Sequence, residues 1–83
     1  MLLFKQQQLS FSAVTLELLN LTRREAEGLF WIAQGKNNTE AARLLSISSK
    51  TVKKYLENIY QKLGVQTRAA AVVCALERLG VLK

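Results

Sequence analysis

"TEAARLLSISSKTVKKYLENIYQKLGV", Thr39 to Val65, decides the fold. Two segments with helical patterning, TEAARLL and the run from about Ser49 to Leu63, are separated only by Ser46, Ile47 and Ser48. In the second segment Val52, Leu56, Ile59 and Leu63 recur at i, i+4, i+7 and i+11, which puts them on one helical face. Ser48 is the expected N-cap and Gly64 the expected stop. Turned away from the apolar face are Lys50, Lys53, Lys54, Glu57, Asn58 and Gln61, a mixture of cations and hydrogen-bonding groups. The lysines crowd the amino-terminal half, where positive charge opposes the helix dipole, so an external anion is the expected reason for them. Two helices joined by a three-residue turn, the second basic on its outer face, make the helix-turn-helix unit that places its second helix in the DNA major groove.

Working outward, "LTRRE" supplies Thr22 as an N-cap with Glu25 three residues on, a reciprocal capping box. A helix is expected from about Arg23 to Gln34, closed by Gly35, with Glu25 (through its aliphatic stem), Ala26, Leu29, Ile32 and Ala33 inward. Asn38 is read as the cap of the short helix that follows, ending at about Leu45. Beyond Gly64, Thr67 caps a last helix over about Arg68 to Leu79. Its helical projection turns Ala71, Val72, Ala75 and Leu79 inward and Ala70, Val73, Cys74 and Glu77 outward. An apolar outward strip on a terminal helix points to self-association, against the simpler reading of an alanine-rich helix that merely forms well.

Residues 1–20 lack a clean period and are read as an amino-terminal arm or linker, with residues 21–83 as the domain. Within the arm, "FSAVTLELLN" fits both strand alternation (Val14, Leu16, Leu18) and a short helix (Phe11, Val14, Leu18); the helix is the reading carried forward. Phe30, on the outer flank of its helix, is expected to pack beneath the arm with Phe11, Val14 or Leu18. "MLLFKQQQ" has an apolar run too short for a span and no small-residue cleavage site, and is read as neither signal peptide nor membrane segment.

Composition narrows the function. The chain has 83 residues with 12 Lys+Arg against 6 Glu, no Asp, no His and no Pro, for a net charge of +6. Lys36, Arg43, Lys50, Lys53, Lys54, Lys62 and Arg68 lie in one stretch that holds only Glu40 and Glu57 as acids. Such concentrated positive charge suits a polyanionic partner. Without His or Asp, and with one Cys, the usual nucleophile–base pairs and metal-ligand sets are missing. No catalytic residue, metal, cofactor or small-molecule ligand is expected in this chain, and the single cysteine fits a reducing cytoplasm.

The ordered set "LTRRE", "IAQGKNN", "EAA", "LSISSKTVK", "NIYQKLGV" and an arginine before an alanine-rich helix closely resembles the LuxR/FixJ/GerE-type helix-turn-helix domain of bacterial transcription regulators. The likeness covers about Leu21 to Leu82. It implies an all-α, compact four-helix domain that binds double-stranded DNA with its third helix and forms a homodimer on a two-fold operator through its fourth. Carried over by position, Lys53, Lys54 and Glu57 fall where such domains reach base edges. Lys36, Asn38, Lys50, Thr51 and Tyr55 fall where they meet the sugar-phosphate backbone, and Arg68 is added as a further phosphate contact. Chemistry agrees with this division, since lysines donate to guanine O6 and N7 and Glu57 accepts from cytosine N4.

Four positions depart from the pattern. Arg23 stands in place of a common proline, and Tyr55 in place of a frequent histidine. Glu57 stands where basic or polar residues are usual, and Gly28 replaces an aliphatic residue, with Trp31 expected to fill the space it leaves. The function expected is a sequence-specific transcriptional regulator, free-standing or the effector end of a longer protein, with RNA polymerase a candidate partner. The alternatives are a sigma-factor-like promoter-reading domain and a protein-interaction module such as an anti-activator. Cys74, on the outward strip, is expected to pack at the dimer interface or, if close to the two-fold axis, to form a disulfide with its own copy.

Overall fold

The computed structural model describes residues 11–80. Met1–Ser10, with the "MLLF" and "QQQ" readings, and Val81–Lys83 lie outside the described residues. All regular structure among the described residues is helical: α1 (Ala13–Leu16), followed by one 3-10 turn (Glu17–Leu19), then α2 (Arg23–Ala33), α3 (Asn38–Leu45), α4 (Ser49–Leu63) and α5 (Arg68–Arg78). The all-α, helix-turn-helix expectation is borne out, with α2 to α5 as its four helices.

Local chemistry explains each boundary. Thr22 Oγ1 accepts from the Glu25 N–H at 3.1 Å while Glu25 Oε1 accepts from the Thr22 N–H at 3.0 Å, closing the box read from "LTRRE". At the other end Gly35 takes φ +93, and the Gly35 and Lys36 N–H groups return to the Ile32 and Trp31 carbonyls. The cap of α3 is Asn37, which corrects the expectation of Asn38. Asn37 Oδ1 accepts from the Glu40 N–H at 2.8 Å, and Glu40 answers by accepting from the Asn37 N–H at 3.0 Å. Only Asn37 stands three residues before Glu40, the spacing the reciprocal box requires. The α3–α4 turn is closed by Ser46 at φ 58 and then by Ser48, whose Oγ accepts from the Thr51 N–H at 3.1 Å.

The core is one cluster. Leu29 and Ile32 of α2, Ala41 and Ala42 of α3, Val52, Leu56, Ile59 and Leu63 of α4, and Ala71, Ala75 and Leu79 at α5 are all buried. Val72 is half-buried rather than fully inward. Small residues on α3 and α5 let those helices close on α4, the longest element. Leu16 is fully buried as well, so α1 adds a side chain to the domain's own core. Phe11 stacks on Phe30 with ring centroids 6.0 Å apart, and Phe30 meets Trp31 edge-on at 5.0 Å. Phe11 is thus the partner among those expected for Phe30, while Val14 and Leu18 point to solvent at 73% and 66% exposure.

Candidate nucleic-acid interface

Helix α4 has two unlike faces. Val52, Leu56, Ile59 and Leu63 are buried, and Lys50, Lys53, Lys54 and Glu57 are exposed. No acid lies in the first turn of α4. The three lysines take part in none of the ion pairs found among the described residues, which are Arg23–Glu27, Arg24–Glu27 and Lys62–Glu25. Their ammonium groups therefore stand in solvent beside backbone N–H groups that carry partial positive charge, an arrangement suited to polyanion binding. Thr51 is half-buried, with its hydroxyl 2.9 Å from Ser48 Oγ within the cap.

Of the other residues expected at phosphates, Lys36, Asn38 and Arg68 gather around the starts of α3 and α5. Freed from capping, Asn38 accepts through Oδ1 from Arg68 Nη2 at 2.8 Å, joining helices that are thirty residues apart in sequence. Lys36 is half-buried just before them. Tyr55 is half-buried on the α2 side of α4. A Cβ placed on Gly28 would lie 3.8 Å from the Tyr55 ring, so Tyr55, and not Trp31, occupies the space beside that glycine. The reason is that Trp31 packs edge-on against Phe30.

Two residues of the basic stretch prove to be structural. Lys62 Nζ donates to Glu25 Oε1 at 2.7 Å, and Glu25 is only 4% exposed. Burial, the largest single influence on Glu25, acts to raise its pKa. Hydrogen bonds from Lys62 and the Thr22 N–H, the Lys62 charge and Asn58 together carry it below the ordinary glutamate value. Asn58, expected on the outward face, is half-buried at that carboxylate instead. A helical wheel alone does not show this, because Asn58 and Lys62 sit at the edge of the apolar stripe, where only the position of α2 decides which side they take. The signal available in sequence was the i, i+4 pairing of Asn58 with Lys62 beside the inward Glu25.

Arg24 is a residue that sequence reading passed over. Its Nη1 donates to Glu27 Oε1 at 2.8 Å and its Nη2 to the Leu45 carbonyl at 3.1 Å. The neighbouring Tyr55 side chain, followed by Glu27, raises its pKa against a smaller effect of burial.

On α5, Val73 is 45% exposed and Glu77 is exposed, whereas Ala70 and Cys74 are half-buried, Cys74 against the core cluster. No helix among the described residues is long and apolar enough to cross a membrane.

Residues 19–75 match the family described as bacterial regulatory proteins, luxR family. The chain belongs to this family. It is one of regulatory proteins with a DNA-binding helix-turn-helix domain rather than of enzymes. Similar proteins include the nitrate/nitrite response regulator protein NarP of Escherichia coli (strain K12), 42% identical over 60 residues that cover 72% of this chain and 28% of NarP. The transcriptional regulatory protein LnrK of Bacillus subtilis (strain 168) is 45% identical over 65 residues, covering 78% of this chain and 29% of LnrK. The transcriptional activator protein AnoR of Acinetobacter nosocomialis is 41% identical over 64 residues, covering 77% and 26% respectively. This luxR-family chain therefore spans between a quarter and a third of the length of these three relatives.

Proposed function

We propose that this luxR-family domain binds double-stranded DNA as a transcriptional regulator, with α4 in the major groove and two copies paired through α5 on a two-fold operator. The observation that carries the reading is the division of α4 into a buried apolar face and an exposed face bearing Lys50, Lys53, Lys54 and Glu57. An α-helix with cations at its front and a hydrogen-bonding acid one turn on matches the dimensions and donor–acceptor pattern of the major groove. In this reading Lys53, Lys54 and Glu57 meet base edges. Lys36, Asn38, Lys50, Thr51, Tyr55 and Arg68 meet the sugar-phosphate backbone. Support for pairing comes from the exposed Val73, flanked on the same strip by Ala70, Cys74 and Glu77. The cytoplasm, where bacterial DNA is accessible, is the expected place of action, with RNA polymerase as a further partner.

The test is fluorescence anisotropy of the chain on a duplex selected from a random library, titrated with salt. About four phosphate contacts per subunit give a log–log slope near −4. A slope near zero would sink the DNA reading and leave the protein-interaction alternative. Retention of core RNA polymerase without duplex binding would favour the sigma-like one.

A further inference from the structure

Arg24 stands at the junction of three helices. It lies in the first turn of α2, and its guanidinium reaches across to the Leu45 carbonyl at the end of α3. The last carbonyls of a helix have no partner within it, so this bond satisfies one of them where the chain turns. The next residue, Ser46, holds the left-handed backbone (φ 58) that sets the course from α3 into α4. One helical turn beyond Arg24, Gly28 faces the Tyr55 ring of α4, whose nearest edge is 3.8 Å from where a Cβ would stand. The Tyr55 side chain also lies close enough to the guanidinium to raise its pKa.

We propose that Arg24 is a positioning residue for the DNA-binding face: it ties α2 to the α3–α4 turn and to Tyr55, and thereby fixes the angle at which α4 presents Lys50, Lys53, Lys54 and Glu57. This inference rests on the DNA-binding reading above and adds to it a residue that acts through its neighbours. The planar fork of the guanidinium is what allows one side chain to serve Glu27 and the Leu45 carbonyl together beside the Tyr55 ring; an ammonium at the same place keeps the charge but not the geometry. Because Tyr55 packs beside Gly28, one turn from Arg24 on α2, the two residues act as one unit rather than as two independent contacts.

The experiment compares wild type, Arg24→Lys, Arg24→Gln, Tyr55→Phe and the Arg24→Lys/Tyr55→Phe double variant. Each is titrated on a duplex selected from a random library and on a random-sequence duplex. Positioning predicts that Arg24→Lys and Arg24→Gln both lose about tenfold on the selected duplex and only about twofold on the random one, with the salt slope unchanged. Tyr55→Phe keeps the ring beside Gly28, and its loss combines with that of Arg24→Lys less than additively. In DNA-free protein, amide exchange at Ser46 and Ile47 speeds up in Arg24→Lys. Wild-type affinity for Arg24→Lys would overturn the proposal. So would equal losses on both duplexes with a slope shallower by about one in Arg24→Gln, which marks a direct phosphate contact. Additive losses in the double variant, or unchanged exchange at the turn, would overturn it too. If wild type shows no salt-dependent DNA binding, the function reading fails instead, and the exchange measurement still decides whether Arg24 holds the turn.

Discussion

The two ends of α4 carry the same residue type for opposite purposes. At its front, Lys50, Lys53 and Lys54 are exposed and stand outside every ion pair among the described residues. At its rear, Lys62 is spent on the buried Glu25 of α2, at 2.7 Å. The front opposes the helix dipole, while the rear places a cation where the dipole favours one. A count of basic residues treats these lysines as equals; their surroundings separate a surface built for an outside anion from an internal clasp. The clasp also matters to the front, because the face that α4 shows to solvent depends on how α2 grips its other side.

The comparison predicts a double dissociation, of which the largest effect belongs to the rear. Lys62→Met leaves the Glu25 carboxylate buried without its cation and is expected to cost about 3 kcal/mol of folding stability. Urea unfolding measures the loss, and the salt slope of DNA binding should not change. A shallower slope with full stability would show Lys62 to be a DNA contact and erase the distinction between the two ends.

At the front, Lys53→Ala or Lys54→Ala should remove about 1 to 3 kcal/mol of discrimination at particular base pairs. The stability of these variants should stay within about 0.5 kcal/mol of wild type, as for surface residues generally. Competition between single-base variants of a selected duplex reads the first quantity and urea the second. Lys50→Ala, by contrast, should weaken selected and random duplexes alike.

Between the two ends lies the contact of Gly28 with Tyr55. The Cβ of an alanine would be in ordinary van der Waals contact there, with no backbone strain to offset the gain in helix propensity. Gly28→Ala should therefore stabilise the domain by up to about 1 kcal/mol, seen as a higher melting temperature. A destabilised Gly28→Ala would mean that the α2–α4 seam is closed more tightly than this spacing implies.

The smallest effect is a pH dependence that the clasp controls. Glu25 has a folded pKa below its unfolded value, so it adds stability above the ordinary glutamate range and loses it as pH falls through the lowered folded value. Removing Lys62 takes away two of the influences that lower it, leaves burial opposed only by the Thr22 N–H and Asn58, and so moves the carboxyl upward. The loss of stability on acidification should therefore be smaller in Lys62→Met than in wild type. Stability curves of both proteins from neutral to acid pH, taken as a difference, would test this; parallel curves would refute it.

Much of this was legible in the chain. The boundaries of α2 and α4 follow from Thr22 with Glu25, Gly35, Ser48 and Gly64, because capping and left-handed turns are short-range chemistry written within a few residues. The apolar stripe of α4 was legible for the same reason, since a period of 3.6 identifies a face before any neighbour is known. The cap at Asn37 was missed because two adjacent asparagines compete for one role, and only the distance to Glu40 separates them. Asn58, Lys62 and Arg24 were not legible in this way. Each lies at the margin of a helical face, where a rotation of a few tens of degrees changes whether it meets solvent or a neighbouring helix.

The sequence by itself determined an all-helical luxR-family domain, the places where its helices start and stop, and the concentration of charge on the front of α4. The tertiary structure alone decided which cations are engaged within the fold: Lys62 with Glu25, Arg68 with Asn38 and Arg24 with the Leu45 carbonyl. The physical reason is range. Caps and periods depend on residues three or four apart, whereas these bonds join residues 21 to 37 positions apart and exist only once α2, α3, α4 and α5 have closed on the shared core.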